Sequence, residues 1–360
     1  MPPVTPAGKA SVRARLAALL VALAASPAAA DLVLPPGFTA QTYVTGQGFD
    51  PATERGGPGI PATATLAFDR AGTLYLAKTG ARFRSGQVED LAPIYRIPAG
   101  GARLTRENEA RYLHGPPLSN PQVAAVGPRG EVFVTTYDRD RRLGALYRML
   151  DGRPALFAGG TPVDGGEPLL RHPEGAALDP TGHVYVADRD HGAVVRLDPK
   201  GKVVDPRYLR VVRPRMLAAD EEGRLWVAGD GTAGTPVQTG AGQIWRTDAD
   251  GRLTLVLEGP LPAGLALSPG GTPFVAQRRT PSVFAVSRHG QRVDVIGAKE
   301  GTFFRGLAFA PVTPETRRAG IAGDLFLIVV RRQIWTINEV IRITGPFDDL
   351  VRREAATPSP

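Results

Sequence analysis

The chain has 360 residues, of which 42% are hydrophobic and 22% are charged, a balance typical of a globular protein that buries its own core. The absence of cysteine excludes disulfides, thiolate nucleophiles and cysteine-bound metals. The formal net charge is +8, or +5 beyond residue 30, and the basic residues are scattered singly. We therefore expect no nucleic-acid partner.

Residues 1–30 have the pattern of a secretory signal peptide. Three basic residues precede an apolar run, 16–25, and a small-residue cleavage motif ends at Ala30. The run is too short to span a bilayer, and no cysteine follows it that could carry a lipid, so no stable membrane anchor is expected. The pattern predicts a periplasmic or secreted protein whose mature form begins at Asp31.

One sequence unit recurs six times along the rest of the chain. It begins with a short apolar inner strand, continues through a glycine turn to a second strand that has an aromatic residue between aliphatic ones, and ends with a third, alternating strand. The inner strands are 66–68, 124–126, 176–178, 217–219, 265–267 and 307–309. The aromatic residues are Tyr75, Phe133, Tyr185, Trp226, Phe274 and Phe326. The third strands are 94–97, 146–149, 194–197, 244–247, 283–286 and 334–337.

Turns after the third strands lead to a fourth, outer strand in each unit. Six such units predict an all-β fold, a six-bladed β-propeller with four-stranded antiparallel blades, over residues 31–351. Two segments compete to complete the last blade, 38–45 and 340–344, and we favour the N-terminal one. The remaining residues, 352–360, are expected to form a disordered tail.

The third unit resembles an NHL repeat. Residues 173–188 read PEGAALDPTGHVYVAD, and the other five units are diverged versions of this segment. The resemblance extends over about residues 64–344 and is to the NHL-repeat and gluconolactonase-like six-bladed propellers. Residues 34–38, LPPGF, are similar to the start of exported propellers related to sorbosone and glucose dehydrogenases. This architecture hosts lactonases, dehydrogenases, lyases and binding modules, so the resemblance implies a fold more firmly than a reaction.

Alignment of the inner strands places one residue per blade near the axis at one face of the ring. These residues are Ala64, Gln122, Glu174, Arg215, Ala263 and Arg305. The longer connections, 46–63, 78–93, 105–120, 136–145, 159–172 and 229–242, are expected at the same face. Two arginines, a carboxylate and an amide that converge on a tunnel predict a polar ligand site there. The alternative is a structural network in which Glu174 pairs with one arginine.

The resemblance implies two cofactors, and the residues match each only in part. Gluconolactonase-like enzymes hold a divalent cation such as calcium on the axis; Glu174 could be one ligand, and Asp188 and Asp230 could add oxygens, but Ala263 and Arg305 replace the expected asparagines. Quinone-dependent sugar dehydrogenases use cations for the carboxylates of pyrroloquinoline quinone, which Arg215, Arg305 and Lys78 could supply. The histidine base of that family has no counterpart at the aligned position.

Histidines were also considered as zinc ligands, because amidating lyases of propeller fold bind zinc through three of them. His114, His172 and His191 are expected at the insertion-rich face, but none occupies an aligned axial position. We therefore expect solvated or turn histidines.

The sequence thus predicts an exported propeller that binds or converts a small polar, anionic ligand of the sugar-acid or lactone type. The candidate ligand-binding residues are Gln122, Glu174, Arg215, Arg305, Lys78, Asp188 and Asp230. Two alternatives stay open: a non-catalytic NHL-type module that binds a protein or glycan, and a quinone-dependent sugar dehydrogenase. If the protein is an enzyme, it is a lactonase-like hydrolase or such a dehydrogenase.

Overall fold

The computed structural model describes residues 31–46, 49–50, 55–56, 65–77, 91–138, 140–161, 166–232, 240–248, 250–331 and 338–356. The predicted signal peptide, Ala64, Lys78 and the predicted strand 334–337 lie outside these residues. None of the helices in the described part of the chain is long and apolar enough to cross a membrane.

Six sheets surround one axis, as the six repeats predict. The inner strand of each sheet contacts the inner strands of the two neighbouring sheets, and this chain of contacts returns to its starting point, so the ring is closed. We number the sheets as blades 1 to 6 in chain order. The fold is therefore the six-bladed propeller with antiparallel blades that the sequence predicts.

Blades 2 to 5 each contain four consecutive antiparallel strands, ordered from the axis outward. In blade 2 these are Gln122–Val126, Val132–Asp138, Leu143–Leu150 and Arg153–Gly159. In blade 3 they are Pro173–Leu178, Val184–Asp188, Ala193–Leu197 and Val203–Arg210. In blade 4 they are Pro214–Ala219, Leu225–Gly229, Gly242–Thr247 and Leu253–Gly259. In blade 5 they are Pro262–Leu267, Pro273–Gln277, Ser282–Val286 and Arg292–Ala298, with Leu32–Val33 added at the outer edge.

Blade 6 joins the two ends of the chain. Its strands are Thr302–Phe309, Leu325–Arg331, Asn338–Thr344 and Thr39–Thr45, and the short strand Ala102–Arg103 pairs in parallel with the last of these. The N-terminal segment is therefore the outermost strand of the four, as predicted. Residues 340–344 belong to the third strand, because Asn338–Thr344 pairs directly with Leu325–Arg331.

Blade 1 has three described strands, Ala67–Phe68, Leu74–Ala77 and Ile94–Ile97. The segment around Leu113 runs beside the third strand, where Arg96 N donates to Tyr112 O and His114 N donates to Ile94 O. Two short ribbons pair Leu91–Ala92 with Leu118–Ser119 and Phe49–Asp50 with Arg55–Gly56. A 3₁₀ turn covers Glu109–Arg111, and the α-helix Pro314–Arg318 lies in the long connection of blade 6.

The core lies between adjacent blades. All six aromatic residues of the second strands are buried, with Trp226 the most exposed at 6% and Phe274 and Phe326 fully enclosed. Each aromatic packs against a face of the next sheet, so the repeated pattern of the sequence is the pattern of inter-blade packing. The turns before these strands are tight, and Gly182 shows why they need glycine: its φ is 86°.

The C-terminal segment is a docked helix, Phe347–Ala356, rather than a tail that is disordered from residue 352. Phe347 packs edge-on against Phe38, Phe274 and Phe309 at ring distances of 4.9, 5.6 and 5.2 Å. Asp348 accepts hydrogen bonds from the hydroxyls of Ser268 and Thr272. These contacts order residues 352–356, whereas residues 357–360 lie outside the described part.

Trp226→Ala should lower the free energy of unfolding by about 3–5 kcal/mol, because it opens a cavity between two blades. Urea unfolding monitored by circular dichroism measures this change. Leu156→Ala, at a side chain 57% exposed on the outer strand of blade 2, is the control and should cost less than about 1 kcal/mol. Equal effects of the two substitutions would contradict the inter-blade role of Trp226.

Candidate functional site

Five inner strands contain a bulge, and in blade 2 it lies just past Gln122, between Val123 and Ala125. In blades 3 to 6 the pairing between inner and second strand shifts register around Glu174, Arg215, Ala263 and Arg305 respectively. A bulge redirects the side chain that it contains, here at the mouth of the central tunnel. The strands also approach closely, since a Cβ on Gly175 would lie 2.5 Å from Arg215 O. Glycine after the axial residue therefore lets neighbouring inner strands meet.

Glu174 and Arg215 meet at this mouth. Glu174 Oε2 lies 2.6 Å from Arg215 Nη2, and Arg215 Nη1 lies 3.3 Å from Asp230 Oδ2. The three side chains are only 4%, 12% and 1% exposed. The structure thus brings together three of the predicted site residues in a buried ion-pair network.

A second set of residues enters the site from the ends of the second strands. Arg189, Asp230 and Arg278 each follow the second strand of blades 3, 4 and 5, and each backbone N–H donates to a carbonyl just before the neighbouring inner strand. Arg189 Nε lies 3.9 Å from Glu174 Oε1 and 3.6 Å from Asp230 Oδ2. Arg278 Nη1 lies 3.7 Å from Asp230 Oδ1. Neither arginine was predicted.

Positive charge is in excess at this mouth. Three guanidinium groups, of Arg189, Arg215 and Arg278, share two buried carboxylates, Glu174 and Asp230, and a fourth, of Arg305, lies near Arg215. Burial lowers the pKa of Arg305, and nearby Arg215 lowers it further. We call these six residues the axial cluster. Among the described residues, Arg305 forms no ion pair, so its charge has no direct counter-ion there.

Arg278 is the most deeply buried of the four. Its side chain is 6% exposed, and none of its three guanidinium nitrogens has a hydrogen-bond acceptor among the described residues. Burial, followed by the charge of Arg215, lowers its pKa to about 9, so the group still carries its charge near neutral pH. A buried, charged donor without acceptors is costly, and an anionic ligand would supply the acceptors.

His172 also belongs at the site, although the alignment placed no histidine there. Its ring stacks on Tyr137 at 4.0 Å, Nε2 lies 3.8 Å from Glu174 Oε1, and Nδ1 lies 3.6 Å from Asp190 Oδ2. Burial lowers the pKa of His172, which favours a neutral imidazole. The other two histidines lie apart: His114 packs on Tyr75, and His191 bonds to Asp188.

Asp188 does not contribute its oxygens to the axis, contrary to the prediction. Its carboxylate accepts hydrogen bonds from the backbone N–H groups of Arg171 and His172 at 2.8 and 2.9 Å and pairs with His191 Nδ1 at 2.7 Å. The side chain is fully buried. Asp188 therefore fixes the loop that carries His172.

The remaining predicted residues have no described contact with the cluster. Gln122 pairs in the sheet with Thr135, which donates to Glu174 O, but its own buried Oε1 has no hydrogen-bond partner among the described residues. Ala263 is buried and offers no polar group. Lys78 lies outside the described residues.

The axial cluster does not suit a divalent cation. Both carboxylates face guanidinium groups within 4 Å, and these groups would repel a second cation. In the described part of the chain, no group of three or more His, Asp or Glu residues has the geometry of a metal site. Glu174, the candidate calcium ligand of the sequence analysis, thus forms an ion pair with Arg215.

The family model for the NHL repeat matches residues 170–197, which include Glu174, Asp188 and Arg189. The chain contains an NHL repeat. This repeat is the first three strands of blade 3. No curated protein matches the chain significantly.

Solved structures share the architecture of this propeller at low sequence identity. A protein described as a candidate gluconolactonase is 16% identical, with a TM-score of 0.53, over 89% of this chain and 98% of that one. The quinone-bound aldose sugar dehydrogenase of Streptomyces coelicolor is 14% identical, with a TM-score of 0.53, over 87% and 100% of the two chains. A luciferin-regenerating enzyme is 13% identical, with a TM-score of 0.51, over 86% and 96%. These likenesses show the fold.

Stability should fall in mild acid because of the buried histidines. Burial lowers the pKa of both His114 and His172 below the ordinary 6.5, so the unfolded chain takes up protons first as the pH falls. The free energy of unfolding should be highest above about pH 7 and decrease as the pH falls through about 6.5. His172→Gln should reduce this decrease, measured by urea unfolding between about pH 5 and 8. His289→Gln, in an exposed turn, is the control; an unchanged pH dependence in His172→Gln would contradict the prediction.

Proposed function

We propose that the protein binds a small anionic ligand, a carboxylate of the sugar-acid type, in the axial cluster. The single observation that carries the proposal is Arg278, a buried guanidinium whose nitrogens have no acceptor among the described residues. A carboxylate matches the planar fork of guanidinium donors and would also offset the excess positive charge. The fold is shared with a solved structure described as a candidate gluconolactonase, a name that suggests a sugar-acid or lactone ligand.

The two carboxylates of the axial cluster hold the arginines in place and leave the cluster with a net positive charge. Asp230 lies within 4 Å of Arg189, Arg215 and Arg278, and so holds three guanidinium groups from three blades in place. Glu174 fixes Arg215 from the opposite side. Because the arginines are held before the ligand arrives, little side-chain entropy is lost on binding. Such a preformed site supports selective binding of a small anion.

A second candidate is a quinone-dependent sugar dehydrogenase, which the lowered pKa of His172 favours. A neutral imidazole can accept a proton from a sugar hydroxyl near neutral pH, and His172 lies beside the arginines. Arg215, Arg278 and Arg305 are suited to the carboxylates of pyrroloquinoline quinone. The chemistry that this cofactor supplies when bound is the acceptance of a hydride.

Export is a further part of the proposal. It depends on the basic and apolar pattern of residues 1–30 and would place the axial cluster in contact with periplasmic or external solutes.

Arg278→Met should abolish ligand binding without destabilising the unliganded protein. The substitution removes a buried charge whose nitrogens lack acceptors, so the unfolding temperature should stay equal or rise. Binding of a carboxylate should become weaker by about 2–5 kcal/mol. The measurements are calorimetric titration at low salt with gluconate, gluconolactone and pyrroloquinoline quinone, and thermal unfolding without ligand. Tight binding of the quinone together with weak binding of gluconate would favour the second candidate.

Arg288→Met, in an exposed turn, is the matched control, because it removes the same charge away from the axis. Equal affinities of the parent and Arg278→Met for every ligand would contradict the proposal.

Glu174→Gln should tighten anion binding by about threefold or more, because it removes one of the two carboxylates that offset the arginines. Calcium should neither bind in calorimetry nor raise the unfolding temperature of the parent. A calcium site would show the opposite pattern: calcium would stabilise the parent, and Glu174→Gln would lose that stabilisation. This pair of measurements separates an anion site from a metal site.

A further inference from the structure

A groove of about 780 Å³ lies beside the axial cluster on blade 3, and we call it the side groove. It runs between the turn that contains Gly192 and the end of the outer strand Val203–Arg210. Five arginines line it: Arg171, Arg189, Arg207, Arg210 and Arg213. The side groove is therefore strongly basic.

The acidic residues of the side groove are already paired. Glu167 Oε1 lies 3.0 Å from Arg171 Nη2 and 3.3 Å from His191 Nε2, and Asp190 Oδ2 lies 3.6 Å from His172 Nδ1. Neither carboxylate forms an ion pair with Arg207, Arg210 or Arg213.

Three arginines of the side groove have no counter-ion in the part of the chain that the structure describes. Arg207, Arg210 and Arg213 form no ion pair with any described residue, and the first two are exposed to solvent. Arg213 has a left-handed backbone with φ of 49°, directly before Pro214 and Arg215, and so lies where the chain turns from the outer strand of blade 3 to the axis. Positive charge thus continues from the outer strand to the inner one.

Arg189 belongs to both sites. It lines the side groove, and its Nε lies within 4 Å of Asp230 and Glu174 in the axial cluster. Arg189 therefore links the axial cluster to the side groove, and a ligand that contacts it from the cluster would have the arginines of the groove beside it.

We propose that the ligand carries at least two anionic groups, one held in the axial cluster and another in the side groove. This inference rests on the proposed anion binding at the axis and specifies its ligand as an extended polycarboxylate. Guanidinium groups at both ends favour carboxylates, which they bind through paired hydrogen bonds. Two sources share this chemistry: a linear dicarboxylic acid and a short acidic oligosaccharide.

Calorimetric titration with linear dicarboxylates of increasing length, each beside the monocarboxylate of equal length, tests the proposal on the full chain. Dicarboxylates long enough to reach the side groove should bind about five- to tenfold more tightly than their monocarboxylate partners. Arg207→Gln/Arg210→Gln should remove this gain and leave the monocarboxylate affinity unchanged. Arg153→Gln/Arg288→Gln removes two exposed charges elsewhere and should keep the gain.

A parallel titration with mono-, di- and trigalacturonate distinguishes the sources, since an affinity that rises with each sugar acid indicates the oligosaccharide. The inference is overturned if no dicarboxylate or oligomer exceeds its monoacid, or if the gain persists in Arg207→Gln/Arg210→Gln. Failure of the proposed function looks different: then neither monoacids nor diacids depend on Arg278.

Discussion

Asp230 is the residue on which the axial site depends. One carboxylate, 1% exposed, lies within 4 Å of guanidinium groups from blades 3, 4 and 5. Its backbone N–H is bonded to Arg213 O, so its position is set by the ring itself. Without this shared acceptor, Glu174 alone would offset Arg189 and Arg215, and Arg278 would lose its one ion pair with a described residue. Removal of one partner of a buried pair typically costs about 3–5 kcal/mol. Asp230 thus joins side chains from three neighbouring blades at one end of the axis.

The same arrangement leaves hydrogen-bond donors of the axial cluster without acceptors among the described residues. If carboxylates neutralised every arginine of the axial cluster, the cluster would be the purely structural network that the sequence analysis gives as an alternative. The axial cluster has only two carboxylates for four guanidinium groups, so the arginines are not fully neutralised. The desolvation penalty is largest at Arg278, because its nitrogens have no acceptors among the described residues. Proteins commonly retain such local destabilisation where binding requires it, and the inter-blade aromatic core supplies the stability that offsets it. The core between the blades thus stabilises the ring, while guanidinium donors at the axial cluster stay without acceptors among the described residues.

The sequence predicted the architecture well because every blade repeats the same packing problem. Phe274 and Trp226 recur at one period, and burial between sheets follows directly from that period. The site was predicted in part: Glu174 and Arg215 lie on inner strands that align residue by residue, so their convergence could be read from the repeat. The position of Arg278 could not be read from the repeat. It follows a second strand, and the end of that strand is defined by a backbone hydrogen bond from Arg278 N to Leu261 O, which the sequence does not reveal. The same uncertainty selected Asp188 instead of Arg189, one residue farther along. His172 was missed because an alignment of inner strands says nothing about the loop that Asp188 anchors.

The pairing of Thr39–Thr45 with Asn338–Thr344 also sets the timing of folding. Thr39–Thr45 waits for a partner strand about 300 residues later in the chain, which at ordinary rates of synthesis takes about 15–60 s. During that interval the nascent chain can build individual blades from local contacts, but it cannot seal the ring, and both edges of the growing propeller stay exposed. Contacts of such long sequence separation also slow folding after synthesis. Closure of the ring must therefore wait until Asn338–Thr344 has been made, and the blades built before then remain an open arc with two unpaired ends.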